Sequence, residues 1–550
     1  MIHKVQEKPL ITPKRLALMI SYDDPRQQPL PGFEKFSGFP LDLNNRWVKL
    51  SKIIPWDVFA KAYDKNMSPG VGRPAKSARL VVGATIIKHK LCLSDEETVR
   101  QIQENHYLQY FVGFNSFRIE APFAPTLFVE IRRRMGDDVF EQFNQAIVNH
   151  LETSTKPKKK KRKSNSDDDQ ASPSSSQARD KQPSQKAEPE ANNGKLIIDA
   201  TVAEQAIRFP TDLGLLNEAR EISEALIDKL YPLSGLEKKP RTYRRNARKA
   251  YLALAKQKNP TKNKRRKTIK QQLQFLQRNL GHIDNLLDLV SDESTALTEH
   301  QRRQYWIIQE LYRQQSEMFR NRVSRCDHRI VSICQPHVRP IVRGKAGKKV
   351  EFGAKLGVAL TGNGIAHVDN LDWNAYHEGH DLPTQVENYR KRHGCYPATV
   401  LADQLYGSRE NRKYLKERNI SFAGKSLGRP KKVTEENQDD LRQERRRKKA
   451  EYRQRIPIEG KFGQGKNGYR LNYVRARTQA TSEAWIRGIF LVMNLLVLAS
   501  NFLRQLKTVS LDSYSVIKEL ALQVYARHLS SARCLWLKIV PKLRCEPLTF

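Results

Sequence analysis

The chain has 550 residues, and at about 150 residues per domain this length is enough for three to four folded units. Its 98 Lys and Arg residues outnumber 59 Asp and Glu residues, which gives a formal net charge of +39 and a pI near 10.0. With 39% hydrophobic residues the chain is globular and not disordered throughout, and its charge favours a polyanionic partner, with nucleic acid ahead of an anionic membrane.

The N-terminal sequence MIHKVQEKPLITPKRLAL has neither an apolar segment nor a cleavage site of the kind that secretory signals have. Six cysteines in the whole chain are too sparse for a disulfide-stabilised secreted domain and favour a reducing compartment. The longest apolar stretch, 488–503, contains Asn494 and is shorter than the roughly 20 residues that span a bilayer. We therefore expect a cytoplasmic protein in which this stretch is a buried helix.

Residues 1–152 are predicted to form an all-helical N-terminal domain. Apolar residues recur at spacings of three and four over 47–62 and 74–90. Ser94 and Glu97 have capping-box spacing ahead of a helix that runs through Leu108. Short helices joined by tight turns suit a DNA-binding or dimerisation domain, and a plain helical bundle explains the pattern equally well.

Residues 153–194 are predicted to be a disordered linker. They are rich in Ser, Pro, Gln and charged residues and have no hydrophobic period. The basic run 156–163 is interpreted as a nuclear localisation signal, as a tether that binds phosphates, or as solvated charge without a partner.

From residue 195 to residue 505 the pattern predicts an α/β domain, with a C-terminal tail at 506–550. Strands are expected at 195–202, 329–342, 351–360, 365–373 and 398–402, and helices at 381–392 and 408–418. The sequence Thr-Gly-Asn-Gly at 361–364 predicts a hairpin between two of these strands. Strands that alternate with helices in this way are typical of an α/β core.

A helical insertion is expected at about 213–325, between the first two strands. Within it, the segment 238–270 contains fifteen Lys or Arg residues and no Asp or Glu, with two tyrosines interleaved. Such a surface neutralises DNA phosphates, and the tyrosines are able to stack on exposed bases. The candidate DNA contacts are Arg244, Arg245, Lys264, Arg265 and Arg266, and the alternative is a solvated basic helix that contacts nothing.

Three carboxylates are placed as a two-metal phosphoryl-transfer site requires. Asp199 lies within the first strand, Asp403 follows the strand at 398–402, and Glu459 is near the start of a predicted helix. Strand ends of an α/β sheet are where ligands collect, and three carboxylates are able to hold two Mg²⁺ or Mn²⁺ ions. Asp369, Asp372 and Asp381 compete for the same role.

The residues around Glu459 distinguish it from other acidic residues. They form the pattern Tyr452-x2-Arg455-x3-Glu459-x6-Lys466. On one helix, Arg455 and Lys466 would share the face of Glu459, so that cations flank a metal-bound phosphate. Pro457 and the three following glycines weaken the prediction of this helix.

The four-residue pattern resembles the Tyr-x2-Arg-x3-Glu-x6-Lys signature of bacterial insertion-sequence transposases with a DDE catalytic triad. The segment IIDATVAEQAIRFPTDLGLLNEARE resembles the first-aspartate region of that family, and ADQLYGSRENRKYLKERNI resembles the second. The likeness covers about 70–500 and includes the middle strands and the N-terminal helices. One departure is that the long insertion lies between the two aspartates, whereas many relatives carry it between the second aspartate and the glutamate.

This resemblance implies an RNase H-like fold in which Asp199, Asp403 and Glu459 are catalytic and bind two Mg²⁺ ions, with Mn²⁺ as a substitute. Tyr452, Arg455 and Lys466 would then contact the DNA end. The implied partners are double-stranded DNA, as terminal inverted repeats and target, and a second copy of the chain, since two ends must meet. The implied location is the bacterial nucleoid.

Three other functions remain open from the sequence. A related metal nuclease that cuts without strand transfer would use the same residues. A domesticated or inactive transposase acting as a DNA-binding regulator would keep the fold and lose the chemistry. A basic RNA-binding structural protein would have no use for three placed carboxylates.

Overall fold

The computed structural model describes residues 40–65, 75–155, 192–290, 296–342, 350–424, 427–428, 434, 437–502 and 504. Most of the expected linker, 156–191, and the whole expected tail, 506–550, lie outside these residues. The described part is a mixed α/β structure, which confirms the predicted class.

Seven helices precede the first strand in the part of the chain that the structure describes. They are α1 (Arg46–Ile53), α2 (Trp56–Asp64), α3 (Ala78–Leu91), α4 (Asp95–Glu104), α5 (His106–Phe111), α6 (Leu127–Arg134) and α7 (Asp137–Thr155). The helix expected over 47–62 is divided in two because Ile54, which precedes a proline, is extended. The helix predicted to reach Leu108 ends at Glu104, since Asn105 is extended and its side chain caps a new helix.

Among the described residues, six strands form one sheet, and the first strand lies in its centre. They are β1 (Lys195–Glu204), β2 (Arg339–Val342), β3 (Val350–Thr361), β4 (Ala366–Asp372), β5 (Thr399–Leu401) and β6 (Ser421–Ala423). β1 pairs with β3 antiparallel on one side and with β5 parallel on the other, and β6 extends the sheet parallel to β5. β2 and β4 both pair antiparallel with the outer edge of β3. The strand order is therefore β2-β3-β1-β5-β6, with β4 beside β3.

Helices cover both faces of the sheet because alternate residues of β1 point to opposite sides. Leu196 and Ile198 belong to a core with α12 (Leu382–His393) and α13 (Arg409–Glu417). Ile197 and Ala203 belong to a larger core that also contains the helices before β1 and the final helix α16 (Gln479–Phe502). The sheet is thus the middle layer of three.

In the described residues between β1 and β2 there are four long helices, where the sequence predicted a helical insertion. They are α8 (Asp212–Leu230), α9 (Arg244–Ala255), α10 (Lys262–Leu289) and α11 (Glu299–Asn321). Thr211, Thr261 and Thr298 each cap a helix of this group by accepting a backbone N–H. Leucines and isoleucines from α8, α10 and α11 form a separate hydrophobic core.

The strand predicted over 329–342 is wrong for most of its length, because only Arg339–Val342 is strand. The buried residues that suggested it pack into two different cores, Ile330 and Ile333 against the insertion helices and Val331 and Val338 against the sheet. The Ile330 N–H donates to the side chain of Gln314, so no strand partner is needed there.

Two consecutive helices follow β6 and carry the motif residues. α14 (Gln438–Arg453) leads into α15 (Ile456–Gly468), and Pro457 lies in the first turn of α15. Proline is compatible with that position, because its missing N–H would have no helical partner there. The helix around Glu459 therefore forms in spite of Pro457 and the glycines.

α16 is the one helix in the described residues that is long and apolar enough to cross a membrane, and 67% of its apolar window is buried inside the fold. Core helices pass the same test of length and composition. Its burial agrees with the expected buried helix over 488–503.

Candidate active site

A cavity of about 640 Å³ lies where β1, the segment after β5, and α15 meet. Asp199, Asp403 and Glu459 all line it, as do Arg455 and Lys466. The structure therefore places the three predicted carboxylates and two of their predicted cationic neighbours around one space. They come from widely separated parts of the chain, as the sequence analysis expected.

Asp199 is delivered by the middle of β1, where it is paired in register with Val358 of β3. Its Oδ1 accepts the N–H of Ala200 at 2.8 Å, and its Oδ2 lies 3.3 Å from a guanidinium nitrogen of Arg455. Burial raises the pKa of the Asp199 carboxyl, and the negative charges of Glu378 and Asp403 raise it further, while Ala200 and Arg455 oppose the shift. The site thus places a partly desolvated carboxyl group among other negative charges.

Asp403 stands directly beyond β5 and begins a short turn. Its Oδ1 accepts the N–H of Gln404 at 2.7 Å and caps a single 3₁₀ turn, Gln404–Tyr406. Asp403 therefore acts as a cap, as an aspartate at the end of a strand often does, and it also lines the cavity. Tyr406, three residues on, is fully buried and packs in the core below the sheet.

Arg455 links the carboxylates across the cavity. It lies at the junction of α14 and α15, is 7% exposed, and donates to Asp199 Oδ2, to Glu459 Oε1 at 2.8 Å and to the Tyr452 hydroxyl at 3.1 Å. The four-residue spacing of Arg455 and Glu459 brings them onto one face, as predicted. The Glu459 side chain remains 56% exposed, so its carboxylate faces the open cavity.

Tyr452 and Lys466 lie at opposite ends of this array. Tyr452 is in the last turn of α14, more than half exposed, with the Arg455 guanidinium over its ring. Lys466 is in the last turn of α15 and lies 3.7 Å from a carboxylate oxygen of Glu351. The motif thus spans two helices, whereas the sequence predicted one.

The donor set suits a hard divalent cation, since the acidic lining of the cavity consists of carboxylates. In the described part of the chain, however, no three His, Cys, Asp or Glu side chains form a group that would hold a metal ion as they stand. The Arg455 guanidinium lies between two of the candidate ligands. The carboxylates of the cavity are thus suitable ligands for a divalent metal ion. To bind the same ion, their side chains would need to move closer to one another.

The three competing aspartates do not line this cavity. Asp369 is fully buried and paired with Arg392. Asp372 accepts the backbone N–H of Asn374, and Asp381 accepts the side-chain amide of Asn370. Each of these carboxylates has an ion-pair or hydrogen-bond partner that does not line the cavity.

Two charged residues of the cavity wall, Glu378 and Lys355, were not predicted from the sequence. Their side chains lie 3.4 Å apart and are both largely buried. Neither belongs to the motif, and only their position close to β1 in the fold brings them to the site.

The basic residues predicted in the insertion do not reach the cavity, and they differ in their surroundings. Arg244 forms an ion pair with Asp228, and Arg266 donates to the carbonyl of Phe319 and covers its ring. These two side chains therefore hold helices of the insertion together. Arg245, Lys264 and Arg265 are exposed on α9 and α10.

Comparison with known proteins identifies two regions of the chain. Residues 400–496 match a family model described as "Transposase DDE domain", and residues 39–134 match one described as "Transposase domain (DUF772)". The first region contains Asp403, Glu459 and the other motif residues, and the second contains α1 to α6.

A curated protein of Rhizobium meliloti, "Uncharacterized protein ORF8 in nfe locus", is 39% identical over 176 residues, which is 32% of this chain and 69% of that protein. No solved structure matches the chain.

Proposed function

The chain belongs to the DDE transposases of insertion sequences, and from this premise we propose that it binds the terminal inverted repeats of its element, nicks them to free 3′-hydroxyl ends, and transfers those ends to target DNA. The observation that carries the proposal is the convergence of Asp199, Asp403 and Glu459, with Arg455, on one open cavity. Both chemical steps are phosphoryl transfers, so one site serves for both.

We propose that the sheet and its helices form an RNase H-like core. The topology supports this: β1 is central, its neighbour β3 is antiparallel, β4 continues that side, and β5 and β6 lie parallel on the other side. In this arrangement Asp199 is on the central strand and Asp403 follows the adjacent parallel strand. The catalytic domain would comprise 195–505 with its helical insertion.

Asp199, Asp403 and Glu459 would hold two Mg²⁺ ions, with Mn²⁺ as a substitute. Bound there, the ions would activate the attacking oxygen and stabilise the leaving one. The protein's own contribution is charge and position: Arg455, already desolvated, would donate to a DNA phosphate in place of Glu459 or Asp199. Tyr452 and Lys466, one at each end of the motif, would fix the DNA end on either side.

The other proposed partners follow from charge and from the reaction. Double-stranded DNA is the polyanion that a net charge of +39 suits, and the nucleoid is where the protein would meet it. The helices described within residues 1–152 would form a DNA-binding or dimerisation domain, which residues 153–194 connect to the catalytic domain. Because two element ends are processed together, a dimer or larger homo-oligomer is expected.

The test is cleavage of a plasmid that carries the gene with its flanking DNA. Purified full-length protein is incubated with and without Mg²⁺, and new 3′-hydroxyl ends are mapped for the wild type and for Asp403→Asn. We expect metal-dependent cuts at a pair of inverted repeats, lost in the variant while DNA binding remains.

Two other results would point elsewhere. Cuts at inverted repeats without joining to target DNA would indicate a metal nuclease. Tight DNA binding by the wild type with no cut in Mg²⁺ or Mn²⁺ at any salt concentration would favour the DNA-binding regulator, with the triad kept only as part of the fold.

A further inference from the structure

Glu378 is a fourth carboxylate on the wall of the catalytic cavity. It begins the 3₁₀ turn Glu378–Asp381 that leads into α12, and its side chain is 18% exposed. It lines the cavity together with Asp199, Asp403 and Glu459, so its negative charge adds to that of the three motif carboxylates.

The backbone that carries Glu378 is fixed to the backbone that carries Asp403. At Gly379 a side chain would begin 2.7 Å from the carbonyl oxygen of Leu405, so only glycine permits this approach. The side-chain amide of Asn411 donates to the carbonyls of both Gly379 and Tyr406. The two turns are therefore connected directly, and each of them carries a carboxylate of the cavity wall.

Lys355 supplies the charge that balances Glu378. Its ammonium group lies 3.4 Å from Glu378 Oε2, donates to the carbonyl of Tyr376 at 2.8 Å and lies over the ring of Tyr376. At 3.4 Å the ion pair is looser than a charge-assisted hydrogen bond, which leaves the carboxylate available to another cation. A partly buried carboxylate with one loose partner, facing an open acidic cavity, is suited to bind metal.

We propose that Glu378 is a fourth carboxylate of the metal-binding centre and contributes directly to holding a divalent ion beside Asp199 and Asp403. This inference rests on the proposed function of the cavity and extends its ligand set beyond the three motif residues. A metal ion shared by side chains of β1, the turn after β5 and the turn before α12 would also join the two sides of β1.

The test measures metal binding itself, without DNA and without turnover. Mn²⁺ is titrated calorimetrically into the full-length wild type and into Glu378→Gln, Asp403→Asn and Glu410→Gln. Glu410 is an exposed glutamate of α13 outside the cavity and serves as the matched control. Thermal unfolding without metal establishes that each variant is folded.

We expect Glu378→Gln and Asp403→Asn each to weaken Mn²⁺ binding at least tenfold, and Glu410→Gln to bind as the wild type does. Glu378→Asp, which keeps the charge, should retain more affinity than Glu378→Gln. If Asp403→Asn weakens binding and Glu378→Gln does not, the assignment of Glu378 is wrong and the proposed triad stands. If no variant changes Mn²⁺ binding, the metal centre of the proposed function is wrong, and the role of Glu378 with it.

Discussion

At the scale of single residues, Arg455 makes three contacts that use the shape of its side chain as well as its charge. One guanidinium contacts Asp199, Glu459 and the Tyr452 hydroxyl in different directions. A planar group with five N–H donors is able to do this, whereas an ammonium group on a flexible stem is a point charge. Arg455 therefore holds both carboxylates in a fixed arrangement at the mouth of the cavity.

Arg455→Lys should slow metal-dependent cleavage of element DNA by roughly tenfold to a hundredfold, the range that corresponds to removing one hydrogen bond to a charged group. The measurement is the single-turnover rate of strand cleavage at saturating protein. Arg453→Lys is the control, since Arg453 is exposed two residues earlier on α14. Equal rates for wild type and Arg455→Lys would show that charge alone suffices at this position.

At the scale of elements, α15 has glycines with opposite surroundings. A methyl group on Gly460 would meet nothing within 4 Å, whereas one on Gly465 would lie 3.2 Å from a methyl carbon of Leu471. Gly460 thus costs the helix stability without a packing reason, while Gly465 lets α15 approach the segment before α16.

Gly460→Ala should raise the free energy of unfolding by about 0.5 to 1 kcal/mol, and Gly465→Ala should lower it, although both add the same methyl group to the same helix. Urea unfolding followed by circular dichroism measures both. If both variants are stabilised, Leu471 moves aside at little cost and the close approach at Gly465 does not limit packing.

Most elements were predictable from the sequence wherever the apolar pattern agrees with the turn and cap residues at its ends. Strands β1, β3, β4 and β5 and helices α12 and α13 form within a few residues of their expected bounds. The pattern failed over 329–338, because buried residues alternating between two cores look like a strand. The apolar pattern also failed to predict the helix break at Asn105. An asparagine is a common N-cap residue, and Asn105 itself was the sequence signal for a new helix.

The candidate site was predictable only as far as the motif extends. Asp199, Asp403 and Glu459 were named from strand ends and from spacing, and the structure brings them to one cavity. Glu378 was not found, because its place depends on the close approach of Gly379 to Leu405 in the folded chain. No periodicity or spacing in the sequence predicts this close contact.

At the scale of the whole molecule, a buried charged cluster joins the helices before β1 to α16. The Lys88 ammonium lies 2.7 Å from Asp95 and 4.3 Å from the ring centre of Trp485 on α16. Arg132 makes two hydrogen bonds to the same aspartate and lies over the same indole ring. Trp485 belongs to the hydrophobic core that the helices before β1 share with the sheet. The protonation of this cluster is therefore expected to affect how the helices before β1 are attached to α16.

Burial lowers the pKa of Lys88 to about 8 from 10.5, with Asp95 opposing the shift. Between those two values the unfolded chain keeps the Lys88 proton and the folded chain has released it, so this group makes the protein more stable as pH rises through that range. The free energy of unfolding of the wild type, relative to Lys88→Met, should therefore increase from pH 8 to pH 10.

Urea unfolding at several pH values tests this, with the exposed Lys76→Met as control. Parallel pH profiles for the wild type and Lys88→Met would mean that Lys88 keeps its proton in the folded protein.

The insertion between β1 and β2 carries a basic surface that is separate from the cavity lined by Asp199, Asp403 and Glu459. Its cations have unequal roles: Arg244 and Arg266 have partners within the insertion, whereas Arg245, Lys264 and Arg265 point to solvent. Only the exposed residues are available to DNA phosphates without breaking interactions of the fold. A surface of this kind binds DNA of any sequence and releases counterions as it does so.

Replacing Arg245, Lys264 and Arg265 together with Gln should weaken DNA binding for all sequences and reduce the slope of log affinity against log salt by about 0.9 for each DNA phosphate that the variant no longer neutralises. Fluorescence anisotropy over a range of salt concentrations gives this slope.

The matched control replaces Lys391, Lys413 and Lys416, three exposed lysines of α12 and α13, and removes the same charge. If both triple variants change the slope equally, the insertion acts only through the net charge of the molecule and does not touch DNA. A change confined to the insertion variant would place the phosphates against α9 and α10, and the DNA would then extend from the cavity across the helices between β1 and β2.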